Sequence, residues 1–120
     1  AWDTSFLEHF DEPSEGQLRH LGDDPRDYRV NVFVQIEGTA TDTVTIYLKK
    51  YDASTTTTST VDSKTREILN LTGANEYADF SMLDFIVLDA NDYLYLEVEN
   101  NSGTGNLTAS ATSTITVEER

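Results

Sequence analysis

The sequence predicts an all-β chain: an antiparallel β-sandwich or jelly roll behind an extended N-terminal arm. Three observations carry this reading. From Arg29 onward apolar residues recur with a period of two, the mark of strands buried on one face. Clusters of Asn, Asp and Gly punctuate these runs at short intervals. Threonine supplies 17 of the 120 residues, and its branched side chain suits a pleated surface better than a helix. Six to eight short strands without a convincing helix pack as two sheets.

Residues 1–28 read as an arm. Trp2, Phe6, Leu7 and Phe10 fall at the spacing of one amphipathic turn, which Pro13 and Gly16 break, and Gly22-Asp23-Asp24-Pro25 is a further turn. Apolar residues on such an arm pack either on the arm's own domain or on a neighbour. Residues 29–120 form the body. Val30, Val32, Val34 and Ile36 alternate with Asn31, Gln35 and Glu37; Val44, Ile46 and Leu48 then alternate with Thr45, Tyr47 and Lys49. The two runs are expected to pair as an antiparallel hairpin around Thr39–Asp42. The threonine-rich stretch at 53–60 is either an exposed edge strand or a long loop, and 63–71 leans to strand. Phe80–Leu88 is the most apolar run of the chain, short for a helix and interrupted by Asp84. Asp89-Ala90-Asn91-Asp92 is turn chemistry, with Asn91 able to adopt positive φ. Tyr93–Glu99 alternates cleanly, and Leu107–Val117 supplies one last strand or two short ones.

Composition narrows the function. Twenty-two acidic against eight basic residues give a net charge of −14. Phosphate recognition needs clustered Lys and Arg, so nucleic acid is not an expected partner. No run approaches the roughly 18 apolar residues of a membrane helix, and no signal-peptide pattern opens the sequence, so no membrane partner is expected. The absence of cysteine excludes disulfides and thiolate sites. Charge of this size opposes folding in dilute buffer, yet twelve aromatic residues argue for a core. Concentrated salt reconciles the two, because at 1 M the Debye length is about 3 Å. Three lysines against five arginines agree with such a salt-adapted source.

Sites are sparse. Both histidines, His9 and His20, lie in the arm, where nothing rigid positions a base, and no enzymatic activity is expected. No cofactor is expected beyond a cation: Asp84, Asp89 and Asp92 gather around one turn as a weak calcium candidate, although turn chemistry alone accounts for them.

Read together, residues 29–120 resemble the trimeric jelly-roll domains related to complement C1q and tumour necrosis factor, similar domains of which recur in viral head, tail and fibre proteins. The resemblance rests on the strand Val44-Thr45-Ile46-Tyr47-Leu48-Lys49-Lys50, a Thr/Ser-rich crossing segment, and an apolar strand entering Val87-Leu88-Asp89-Ala90-Asn91-Asp92-Tyr93-Leu94. A strand ending in Glu99-Asn100-Asn101-Ser102-Gly103 and a final Thr/Ser-rich strand complete it. Asn91 stands where that family has a turn glycine, and Ser113–Val117 lacks the usual aromatic and glycine residues. The resemblance implies a homotrimer. With the acidic composition it suggests a virion structural protein of a virus of a salt-adapted, archaeal host. The small size points to a capsid decoration or cement protein on the capsid surface, its arm seating Trp2, Phe6, Leu7 and Phe10 against the major capsid protein or other virion proteins. The alternative is a receptor- or glycan-binding tip of a tail fibre or spike.

Overall fold

Alternation along the chain becomes two facing sheets. The computed structural model describes residues 10–13, 16–22, 24–38, 42–68, 76–101, 107–109 and 113–119. They form nine strands and no helix: β1 (Phe10–Asp11), β2 (Leu18–His20), β3 (Arg26–Gly38), β4 (Asp42–Asp52), β5 (Thr57–Ile68), β6 (Glu76–Leu88), β7 (Tyr93–Asn100), β8 (Leu107–Ala109) and β9 (Thr114–Glu119). One sheet has the order β1-β2-β7-β4-β5. In the other, β6 lies along one edge of β3 while β8 and β9 share its opposite edge. All pairings among the described strands are antiparallel.

The core is what the period-two runs dictate. Val30, Val32, Val34 and Ile36 of β3 face Val44, Ile46 and Leu48 of β4 across the sandwich, with Phe80, Met82, Ile86, Leu88 and Leu94 filling the space between. Each such side chain fully removed from water contributes roughly 1.5–3 kcal/mol.

The pairing differs from the expected hairpin. β3 and β4 lie in different sheets; β3 pairs with β6, β8 and β9, and β4 with β5 and β7. Two strands that each bury one face can meet edge to edge or face to face, and the alternation is the same in both cases. Here the chain crosses between sheets. The threonine-rich stretch resolves into a turn at 53–56, where Asp52 Oδ1 accepts the backbone N–H of Ser54 at 3.0 Å, and then the edge strand β5. Asn91 takes φ 67° at the expected turn.

Phe10–Asp11, Leu18–His20 and residues 26–28, read from the sequence as part of an arm, belong to the sheets. β1 and β2 extend the first sheet beside β7, and β3 begins at Arg26. Leu18 and His20 are fully buried, and Phe10 is 7% exposed. Two- and three-residue strands are too short to show a period, so only the free edge of β7 reveals them. His20, read from the sequence as unanchored, is held by both backbone and ring. Its N–H donates to Asp92 O at 2.8 Å, its carbonyl accepts from Asn91 N at 2.9 Å, and Nδ1 lies 3.1 Å from Asp89 O. Gly22 closes over the ring: a Cβ there would stand 2.8 Å from His20 Cε1. A ring so enclosed cannot step aside, so Gly22→Ala is expected to destabilise the fold by about 1–3 kcal/mol, read as a lowered denaturation midpoint. An unchanged midpoint would show that β2 is not locked in this way.

Candidate functional site

Of the residues singled out on the arm, Trp2, Phe6 and Leu7 lie outside the described residues. Phe10 is not an exposed anchor. Its ring packs edge-on against His20 and Tyr28, with centroids 5.5 and 5.2 Å apart, inside the chain's own core. It is spent on the fold, because β1 is a strand of the sheet rather than part of a free arm.

The three aspartates do not converge. Asp89 and Asp92 occupy the β6–β7 turn, where their carboxylates bind backbone. Asp92 Oδ1 accepts from Ala53 N and Oδ2 from Asp89 N, both at 2.9 Å, and Asp89 Oδ1 accepts from Ala90 N at 2.7 Å. Lys50 Nζ stands 3.8 Å from Asp92 Oδ2. Asp84 lies five residues earlier, about 16 Å back along an extended strand. Among the described residues no group of three His, Asp or Glu side chains is arranged to hold a metal ion.

Asp84 has another environment. It shares the inward face of β6 with Met82 and Ile86, at the margin where β6 meets β5 of the opposite sheet. Burial, and then a hydrogen bond and charge repulsion from Asp62 of β5, push its carboxyl up to about 6 against a partial opposing pull from Lys64. Its Oδ2 is enclosed and has no hydrogen-bond partner.

The outer face of the second sheet is where the chain departs from an ordinary surface. Residues of β6 alternate between the core and solvent, but from Leu83 onward the solvent set is apolar too: Leu83, Phe85 and Val87 are 55, 59 and 49% exposed. Phe33 of β3 is also exposed, and sits opposite Ser81. Phe85 lies opposite Arg29, whose other neighbour, Glu118 of β9, forms an ion pair with it. Arg26 and Glu119 repeat the pairing at 2.5 Å. Arg29, Phe85, Glu118 and Glu119 line a shallow pocket of about 370 Å³. Isolated exposed apolar residues need no explanation, but a contiguous row on one strand, bordered by charge, marks an interaction surface. The sequence carried the signal as the consecutive apolar residues Phe85-Ile86-Val87-Leu88, since a strand segment apolar on both faces is one covered on both faces.

No protein-family model matches the chain, and no curated protein matches it. Among solved structures it is similar to one described as Eiger TNF from S. frugiperda, with a TM-score of 0.65 over 86% of this chain at 16% identity. The chain spans 64% of that protein's length. The molecule is therefore an all-β sandwich with a TNF-like jelly-roll fold, and at that identity the likeness concerns the fold alone. No helix among the described residues is long and apolar enough to cross a membrane.

Proposed function

We propose that the chain is a non-enzymatic structural subunit that assembles as a homotrimer through the outer face of the β6–β3–β9 sheet. The exposed row Leu83, Phe85 and Val87 carries this reading. Trimers are what the jelly-roll resemblance implies, and burying three such side chains per subunit supplies several kcal/mol toward association. The finer reading is a capsid decoration protein on the virion of a salt-adapted host. A charge of −14 on 120 residues supports the salt, and the small jelly-roll body supports the decoration role.

The test is solution mass in about 2–3 M salt, where screening relieves the self-repulsion. The chain is expected at three times its 13.4 kDa. Phe85→Glu replaces the largest apolar side chain of the contact with a charge that association would have to desolvate, and is expected to weaken association about 100-fold or more, giving a monomer with an unchanged β-sheet spectrum. A folded wild-type monomer, or a trimer indifferent to Phe85→Glu, would overturn the assignment of this face.

A further inference from the structure

A closed ring of three identical subunits needs two different patches on each copy, because a patch that meets itself closes at two. The exposed row on β6 is one patch, and we infer that the gap between β7 and β9, on the opposite flank of the sandwich, is the socket that receives it from a second copy. This inference rests on the reading of the β6 row as a self-association surface. The two flanks are built differently. On one, β5 and β6 converge and close the core, with Asp62 and Lys64 of β5 beside Asp84 of β6. On the other, β2 reaches β7 only at Tyr93 and Leu94, so from Tyr95 onward β7 is an edge among the described strands. β9 pairs with β3 alone, and its other edge is open as well. Val98 shows what this leaves uncovered. It sits opposite Ile46 on the core side of the sheet, yet Ile46 is fully buried and Val98 is 42% exposed. Leu96, on the same side of β7, is half-buried, as are Ile115 and Val117 of β9 opposite Val32 and Val30. Apolar residues on the core side of two strands, left partly in water, are core positions that lack a cover. Sheets of a sandwich stand about 10 Å apart, so the gap accepts one layer of side chains, an aromatic ring such as Phe85 included.

Charge matches the two patches to each other. Most described cations are already engaged: Arg19, Arg26 and Arg29 pair with Asp11, Glu119 and Glu118, Lys50 stands beside Asp92, and Lys49 lies over the Tyr47 ring. Lys64 and Arg66 of β5 form no ion pair among the described residues, and both are exposed. They stand opposite Ile46 and Val44, hence on the side of β5 that turns toward β6, and border the apolar row with positive charge. The rim of the socket is the reverse. Glu97 and Glu99, both exposed, flank Val98 on β7. Row into socket sets the cations of one copy toward the carboxylates of the next, whereas row against row sets cations against cations. Such complementarity fixes partner and register more than it adds affinity. Pairs sealed inside a contact are also screened far less by concentrated salt than exposed ones.

The test mixes two variants of the full chain in about 2 M NaCl and reads solution mass. Phe85→Glu spoils the row and keeps the socket; Val98→Glu spoils the socket and keeps the row. Val98→Glu alone is expected to weaken association about tenfold or more and to retain the β-sheet spectrum, since Val98 already stands partly in water. Combined in equal amounts at high protein concentration, the two variants should form a heterodimer of twice 13.4 kDa through the one contact left intact. Glu97→Lys with Glu99→Lys, at exposed positions that folding does not need, supplies a second measurement. It lowers the net charge by four, from −14 to −10, and with it the general repulsion between copies, yet should weaken self-association severalfold. Val98→Glu that still forms the wild-type assembly, a mixture that stays monomeric, or association unchanged or strengthened by the two lysines would each overturn the inference and leave the β6 row as the association surface. A wild-type monomer would overturn both.

Discussion

Asp92→Ala is expected to lower the stability of the folded chain by about 2–5 kcal/mol, the cost of leaving two backbone donors without their acceptor. Asp92 is 2% exposed, and its two oxygens separately satisfy the backbone N–H groups of Ala53 and Asp89. One lies in the β4–β5 turn and the other in the β6–β7 turn, so a single carboxylate ties together two turns at the same end of the sandwich. Its backbone carbonyl also receives His20 N, which attaches β2. Truncation orphans two buried donors, each costing about 1–3 kcal/mol, and strips Lys50 of its nearest carboxylate. Asp92→Asn retains one acceptor oxygen but turns an N–H₂ toward a donor, so it should also be destabilising, by a smaller amount. Urea denaturation at fixed high salt measures both. A loss below about 1 kcal/mol in Asp92→Ala would mean that the two turns are held by something else.

Asp84→Asn is expected to act in the opposite direction. Asp84 is pushed up from 3.8 to about 6, so the folded chain holds that proton more tightly than the unfolded chain does. Its contribution is therefore fully present below pH 3.8 and is lost as pH rises through about 6, leaving a charged, poorly solvated carboxylate at neutral pH. At 1.36 kcal/mol per pH unit the shift sets a ceiling of about 3 kcal/mol, and solvent reaching this half-buried margin reduces the expectation to about 2 kcal/mol. Asparagine removes the charge and can still donate to Asp62. The variant should be more stable than wild type at pH 7.5, with the advantage shrinking to near zero at pH 3.5. A gain that is the same at both pH values would rule out titration of Asp84 as its cause.

How far the sequence reached can be followed residue by residue. Alternation identified the inward faces of β3, β4 and the start of β7 because it reports which side of a strand meets water, and Val30, Ile46 and Leu94 are all fully buried. It could not say that β3 and β4 belong to different sheets, since edge-to-edge and face-to-face partners impose the same pattern. Strands β1 and β2 were illegible because two or three residues contain no period; Phe10, Leu18 and His20 became core only through the edge of β7. The aspartates were grouped by proximity in the chain. An extended strand carries Asp84 away from Asp89 and Asp92, and backbone donors occupy the latter two.

The sequence by itself determined the all-β class, the turn at Asn91, the inward residues of the longer strands and the net charge of −14. Each follows from local stereochemistry or from a sum over residues, and neither depends on what a strand meets. The tertiary structure decided what the surfaces are. The apolar run of β6 became a core row and an exposed row only when β3 fixed which half points outward. Tyr51 of β4 and Tyr93 of β7, distant in the chain, stack only because the β4–β7 register brings them side by side. Pairing is a long-range choice, made by which two faces exclude water together, and no local pattern records it.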